Sequence, residues 1–206
     1  MNNYEYIVAS LPVLTQDMRE RNGLDPESLV GWIRSQCSDR DNALIDILEE
    51  GFRADSLDAE FYGKALSSRN SFIKEYFAYD LAMRNGKVRW LNKVLGRPAG
   101  QDLVPGPEAA PEVVSEVAKA LDTDDILGRE RAMDDLLWNK IGAITTFNYF
   151  DINAILAFIA KLHIIWRWLA LDPETGKEMF QNLVSEVRGT FKGVNYQPEK
   201  QTDAIS

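Results

Sequence analysis

The sequence predicts an all-α protein, an elongated helical bundle in which two lobes are one option. Apolar residues recur at spacings of three, four and seven through most of the 206 residues, which is the period of helices packed along one face. Asp-Pro-Glu begins two of these segments, at Asp25 and at Asp172, and supplies an N-cap, a first-turn proline and a first-turn acid. Only "YEYIVASLPVL" and "GAITTFNYF" have β-like composition, and both are short.

The first half of the chain predicts three helical regions. One starts at Asp25, and a second, "SDRDNALIDILEEGF", ends near Gly51. The third, residues 57–95, predicts a long helix or a helix hairpin, with Gly86 as the point where the chain could bend. A continuous helix there would be about 58 Å long, which favours an elongated molecule.

The segment 96–112 predicts a long loop, because it contains four prolines and three glycines. It is the candidate lobe boundary within a single helical domain over residues 1–195, and the polar residues 196–206 predict a flexible tail. Between them, helices are predicted near 111–120 and 123–144, followed by one from Ile152 and one from Asp172.

Composition narrows the choice of partners and compartment. The formal net charge of −9 repels phosphate backbones and anionic lipid surfaces, so nucleic acid is not expected as a partner, whereas basic protein surfaces are. Cys37 is the only cysteine, which rules out a disulfide within the chain and favours a cytosolic protein. We expect this thiol to be a small packed residue, and the N-terminal segment with Glu5 is not predicted to be a signal peptide.

The sequence predicts neither a catalytic site nor a metal-binding site. His163 is the only histidine, and Ala160 three residues earlier breaks the Glu-x-x-His pattern of helical metal sites. No nucleophile elbow or phosphate-binding loop is present in the sequence. The acids near residue 122 lack the ligand pattern of a calcium loop. Instead, Asp122 and Asp124 are expected to cap a helix, and Asp134 and Asp135 to lie on a solvated face.

The segment Ile152–Asp172 is the most apolar in the chain. A membrane span is not expected, because Lys161, His163 and Arg167 interrupt it and charges at a bilayer centre are costly. On a helical wheel, a core face collects the residues spaced by three and four: Ile155, Phe158, Ile159, Leu162, Ile165, Trp166 and Leu169.

The opposite face of this helix has two interpretations. It could be covered by the protein's own bundle, because a helix apolar nearly all round is normally buried on several sides. Alternatively it contacts a partner protein, since Arg and Trp are typical interface anchors. The candidate interface consists of Ala157, Ala160, Lys161, Ile164, Arg167 and Trp168.

The chain resembles a short bacterial family that is similar to the C subunit (also called the d subunit) of V-type ATP synthases and is typically encoded beside the other V-type subunits. The resemblance is carried by "YEYIVASLPVL", "NSFIKEYFAYDLAMRNGKVRW", "RAMDDLLWNKI" and "FDINAILAFIAKLHIIWRWLALDPETGKEMFQNLV".

The resemblance implies a non-catalytic adaptor in the central stalk, without a cofactor. Its partners would be the other V-type ATPase subunits, including the central stalk and the proteolipid ring, and it would be cytoplasmic, attached peripherally to the inner membrane through the complex. The alternative is a free-standing acidic helical module that binds or assembles other proteins. The third hypothesis is an enzyme, which would have to use Cys37 or His163.

Overall fold

The computed structural model describes residues 3–16, 25–123 and 125–170, and within them it contains α-helices and no strand. The prediction of an all-α protein is therefore confirmed. A short 3₁₀ turn, Ala54–Ser56, separates the third helix from the fourth. The helices are α1 Tyr4–Ser10, α2 Pro26–Gln36, α3 Asp39–Glu50, α4 Ala59–Leu66, α5 Ser71–Val94, α6 Pro111–Leu121, α7 Ile126–Ile144 and α8 Ile152–Leu169.

The chain divides into two compact units, residues 1–167 and residues 168–206. The first unit holds α1–α7 and most of α8. In the second, the described residues are 168–170, at the end of α8. The helix predicted after Asp172 and the tail predicted over 196–206 lie outside the described residues, and the elongated shape stays a prediction.

Side-chain caps decide where the early helices begin. The Asp25 carboxylate accepts a hydrogen bond from the Ser28 backbone N–H at 3.4 Å, which confirms the predicted start of α2. At α3, Ser38 and Asp41 form a reciprocal capping box. Both helices therefore start where a short polar side chain can satisfy backbone N–H groups that have no partner inside the helix.

The 57–95 region is a helix pair, and its break lies at residues 67–70 rather than at Gly86. The Ser67 hydroxyl donates to the Gly63 carbonyl at 2.8 Å, and the Asn70 side chain caps α5 by accepting from the Ile73 N–H at 2.9 Å. Gly86 lies inside α5, where a Cβ would come within 2.8 Å of Val117 of α6. Helix α5 continues through this glycine, which permits close packing against α6.

Helix α5 is the centre of the first unit, because α3, α4, α6 and α7 all pack against it. In its N-terminal half, Phe72, Ile73 and Phe77 are fully buried. The Phe61 ring of α4 meets the Phe77 ring edge-on, with ring centroids 4.9 Å apart. In its C-terminal half a second apolar cluster joins α5 to α6 and α7, and it consists of Tyr79, Met83, Val117, Leu121 and Met133.

The proline-rich segment lies inside the first unit and is tied to α5, so it does not separate two lobes there. The Asn85 side chain donates to the Val104 carbonyl at 2.9 Å and accepts from the Val104 N–H at 3.0 Å. The Asn92 side chain donates to the Gln101 carbonyl at 2.8 Å. These polar contacts satisfy backbone groups of a long loop that would otherwise need water.

The two short stretches of β-like composition contain helix α1 and the end of α7 with the loop after it. Two sequence-based expectations about acidic residues are wrong, and Asp124 lies outside the described residues. The cap of α7 is Asp125, whose carboxylate accepts from the Leu127 and Gly128 N–H groups, whereas Asp122 ends α6. Asp134 is buried, at 6% exposure, and does not lie on a solvated face.

We predict that Gly51→Ala destabilises the protein by about 1–3 kcal/mol, because overpacking a filled core strains it. A Cβ at Gly51 would come within 2.2 Å of the buried Phe77 ring. The control is Gly63→Ala in α4, where a Cβ meets nothing within 4 Å. There the lower backbone entropy of the unfolded chain should increase stability by about 0.5–1 kcal/mol. Urea unfolding of both variants measures the contrast, and equal effects would contradict the close packing at Gly51.

Candidate functional site

Helix α8 begins at a capped end and is buried on more than one side. The Asp151 carboxylate accepts from the Ala154 N–H at 3.0 Å, which satisfies a first-turn donor. The buried residues come from both faces of the predicted wheel: Ile155, Leu156, Ala157, Ile159, Ala160, Leu162, Ile164 and Ile165.

One side of α8 lies along α7. The Lys161 ammonium lies 4.9 Å from the centroid of the Trp138 ring, a cation–π contact. Further along α8, the Arg167 guanidinium forms an ion pair with the Asp134 carboxylate. Because residue numbers rise along α8 as they fall along α7, the two helices run antiparallel where these contacts are made.

Half of the predicted partner interface is covered by the chain itself. Ala157, Ala160 and Ile164 are 6%, 0% and 5% exposed and share the side of α8 that carries Lys161 and Arg167. The expectation that these three residues form an exposed contact surface is therefore corrected: small side chains here serve packing within the bundle.

The other three predicted interface residues have different surroundings. Lys161 is half-buried over Trp138, and the Arg167 side chain is 48% exposed while it pairs with Asp134. Trp168 is half-buried and belongs to the second unit. A partner contact through these residues stays a prediction.

His163 lies one turn before Arg167, at the edge of the side of α8 that faces α2 and Phe52. Its imidazole stacks on the Phe52 ring, with centroids 3.9 Å apart and planes 6° from parallel. Burial, and secondly the positive charge of Arg167, lowers the pKa of His163 to about 4. The imidazole is therefore neutral at pH 7, and among the described residues no hydrogen-bond partner satisfies its ring nitrogens.

A cavity of about 420 Å³ opens to solvent beside this imidazole. We call it the His163 cavity. Helix α2, the turn after α3, and α8 form its walls, and the mid-helix residue Gly31 leaves space on the α2 side. Its apolar lining residues are Pro26, Val30, Phe52, Ile159, Leu162 and Trp166.

Charged side chains surround one part of the His163 cavity. Arg34 pairs with Asp46 at 2.8 Å and with Glu49 at 2.6 Å, so the guanidinium is held by two carboxylates. Glu27, in the first turn of α2, is exposed at the rim. Of the charged residues that line the cavity, Glu27 and Glu49 outnumber Arg34 by one, so the lining has a formal charge of −1.

Cys37 is not an activated nucleophile in this structure. It follows α2 and is partly buried. Burial, and secondly the negative charge of Asp41, raises the pKa of its thiol to about 11. The thiol is protonated at neutral pH, which fits the sequence-based expectation of a packed residue.

The loop between α7 and α8 exposes three aromatic side chains. Phe147, Tyr149 and Phe150 are 86%, 67% and 55% exposed. We call residues 145–151 the aromatic loop. The β-like composition of "GAITTFNYF" concealed this surface, although three aromatics just after a helix end were the signal for it.

A second exposed apolar group lies at the other end of α7, and we call it the end patch. It combines the last turn of α5 with the first turn of α7, since α5 and α7 run antiparallel with Arg129 over the Trp90 ring at 4.6 Å. Its residues and exposures are Leu91 39%, Val94 61%, Leu95 53%, Ile126 72% and Leu127 63%.

Two features of the described residues bear on other functions. Helix α8 has the length and composition of a membrane span, with mean hydropathy 1.4, yet core helices of soluble proteins meet the same criteria. Its buried residues and the Arg167–Asp134 pair are features of a core helix. Within the described part of the chain, no group of three or more His, Cys, Asp or Glu side chains is arranged to hold a metal ion.

Comparison with known proteins gives one similarity. Residues 105–190 match the model of a family described as "Protein of unknown function (DUF2764)". This range includes α6, α7, the aromatic loop and α8. No curated protein and no solved structure matches the chain.

We predict that His163 makes stability depend on pH below neutrality. Its pKa is about 4 in the folded protein against 6.5 ordinarily, so the unfolded state binds the proton more tightly. Protonation therefore opposes folding as the pH falls from about 6.5 to about 4. It should lower the free energy of unfolding by about 2 kcal/mol between pH 7 and pH 5. His163→Phe should lack this loss. Urea unfolding of both proteins at the two pH values checks it, and identical pH dependence would contradict the burial of a neutral imidazole.

We predict that Arg167→Ala destabilises the protein by about 1–3 kcal/mol, because the buried Asp134 carboxylate loses a charged partner. The matched control is Arg89→Ala on the exposed side of α5, which should change stability by less than about 0.5 kcal/mol. Thermal and urea unfolding measure both. Equal effects of the two substitutions would mean that the pair does not hold α8 against α7.

Proposed function

We propose that this chain is a non-catalytic adaptor that joins two partners through protein–protein contacts, as a central-stalk component of a V-type ATP synthase. The observation that carries the proposal is the exposure of apolar side chains at both ends of α7. The aromatic loop follows its C-terminal end and the end patch surrounds its N-terminal end.

Exposed apolar groups of this kind favour binding to other proteins. Single exposed apolar residues are ordinary on soluble proteins, but clustered ones mark interaction sites. Aromatic residues are also enriched at the centres of interfaces. The 19 residues of α7 separate the two groups by about 28 Å, so one rigid helix presents two surfaces.

The finer assignment, to a V-type ATP synthase, rests on the resemblance. Two of the four stretches that carry it begin within residues 105–190, the same range that the family model matches. The net charge of −9 favours basic protein partners. In this assignment the protein is cytoplasmic and reaches the inner membrane only through the complex, linking soluble rotor parts to the proteolipid ring.

We predict that the tagged protein, purified from its native cells, carries V-type catalytic and stalk subunits. Phe147→Ser/Tyr149→Ser/Phe150→Ser should lose one group of partners, and Ile126→Ser/Leu127→Ser should lose another, because each change removes one apolar surface. Val13→Ser is the control, since Val13 is 82% exposed and lies outside both surfaces. Co-purification followed by mass spectrometry measures the result.

Two outcomes would overturn the proposal. Recovery of the protein alone at low and high ionic strength would exclude an adaptor role. Recovery of stable complexes that contain only unrelated proteins would favour the free-standing binding module. Loss of every partner in both surface variants would show instead that the two ends of α7 bind one partner jointly.

A further inference from the structure

We propose that the His163 cavity receives an apolar side chain from a partner protein segment in which a lysine or arginine lies close to that side chain. The inference rests on the proposed adaptor role, since it assigns a third contact surface of the same protein. It concerns α2, the turn after α3 and the middle of α8, and none of the cavity-lining residues belongs to the aromatic loop or the end patch.

The size and lining of the cavity suit an apolar anchor. Its volume of about 420 Å³ lies at the small end of the range for ligand pockets, roughly 300–1,000 Å³. Phe52, Val30 and Trp166 provide apolar and aromatic walls. Well-packed pockets that bury one aromatic or aliphatic anchor are where interfaces concentrate their binding energy.

The wide opening favours a protein segment over a small molecule. A small ligand usually has most of its surface buried on binding, which an open cavity does not provide. A side chain presented by a partner needs no such enclosure, because the partner's own backbone closes the opening. The neutral His163 imidazole, whose nitrogens have no partner among the described residues, could then bond to that backbone.

The charge of the residues around the cavity favours a basic residue next to the bound apolar side chain. Glu49 is paired with Arg34, so the exposed carboxylate of Glu27 leaves the lining with an excess negative charge, which attracts a cation and repels an acidic segment. Glu27 is exposed and can turn toward a partner without breaking an ion pair seen in the described residues. In a segment with lysine or arginine beside the apolar anchor, the apolar side chain fills the cavity and the basic side chain contacts the acidic rim.

The test uses substitutions that fill or recharge the cavity without damaging the fold. Gly31→Leu adds a side chain where a Cβ meets nothing within 4 Å, and Glu27→Lys reverses the rim charge in the first turn of α2. Helix α4 offers matched controls. Gly63→Leu also places leucine at an open mid-helix glycine, and Glu60→Lys reverses an exposed first-turn acid.

A photo-crosslinking residue at Arg53, an exposed position beside the cavity wall at Phe52, reports the occupant in native cells. We expect cross-links to a partner peptide with an apolar residue next to lysine or arginine. Gly31→Leu and Glu27→Lys should each lower the yield roughly ten-fold, as losses at an interface anchor do. Both α4 controls should leave the yield unchanged.

The outcomes separate this inference from the proposed function. Cross-links to an acidic or purely polar segment, cross-links to no protein at all, or equal yields in Gly31→Leu and Gly63→Leu would each overturn the cavity assignment, even if V-type subunits co-purify. Conversely, a basic–apolar segment from a protein outside the V-type complex would support the cavity and overturn the V-type assignment.

Discussion

The first unit depends on the fact that α8 has apolar residues nearly all around it. Such a helix must be covered on more than one side, and here α7 covers one side while α2 and the turn after α3 lie against the other. The contacts differ in chemistry. Toward α7, the contacts are the Lys161 ammonium over the Trp138 ring and the ion pair of Arg167 with Asp134. Toward α2, larger side chains meet incompletely and leave the His163 cavity.

Most helices could be predicted because their signals are local. The Asp25 cap and the Ser38 box are each contained within four residues, so the sequence reports them directly. The break between α4 and α5 had a local signal too, in the capping side chain of Asn70, but the apolar period on both sides of it concealed the interruption. Gly86 is not the break between two helices, and its packing role was not visible because Val117, which it contacts, is distant in sequence.

The candidate site could be predicted only in part, for a related reason. A wheel shows that α8 has two apolar faces, but it does not show which face another helix covers. The burial of Ala157 and Ala160 depends on tertiary packing that the wheel does not contain, and Asp134 was placed on a solvated face because its partner Arg167 is 33 residues away. The His163 cavity depends on three separate elements, so no single stretch of sequence contains its signal.

The proposed adaptor role places a mechanical requirement on α7 and α8. A protein that links two partners must hold its binding surfaces at a fixed separation, and charge-assisted contacts add geometric specificity to apolar packing. The ion pair at Asp134 and the Lys161–Trp138 contact are two such directional restraints, about two turns apart on α8. They fix the register of the helix that follows the aromatic loop. In the proposed role, Arg167 and Lys161 thus also make contacts inside the molecule that hold α8 next to the aromatic loop.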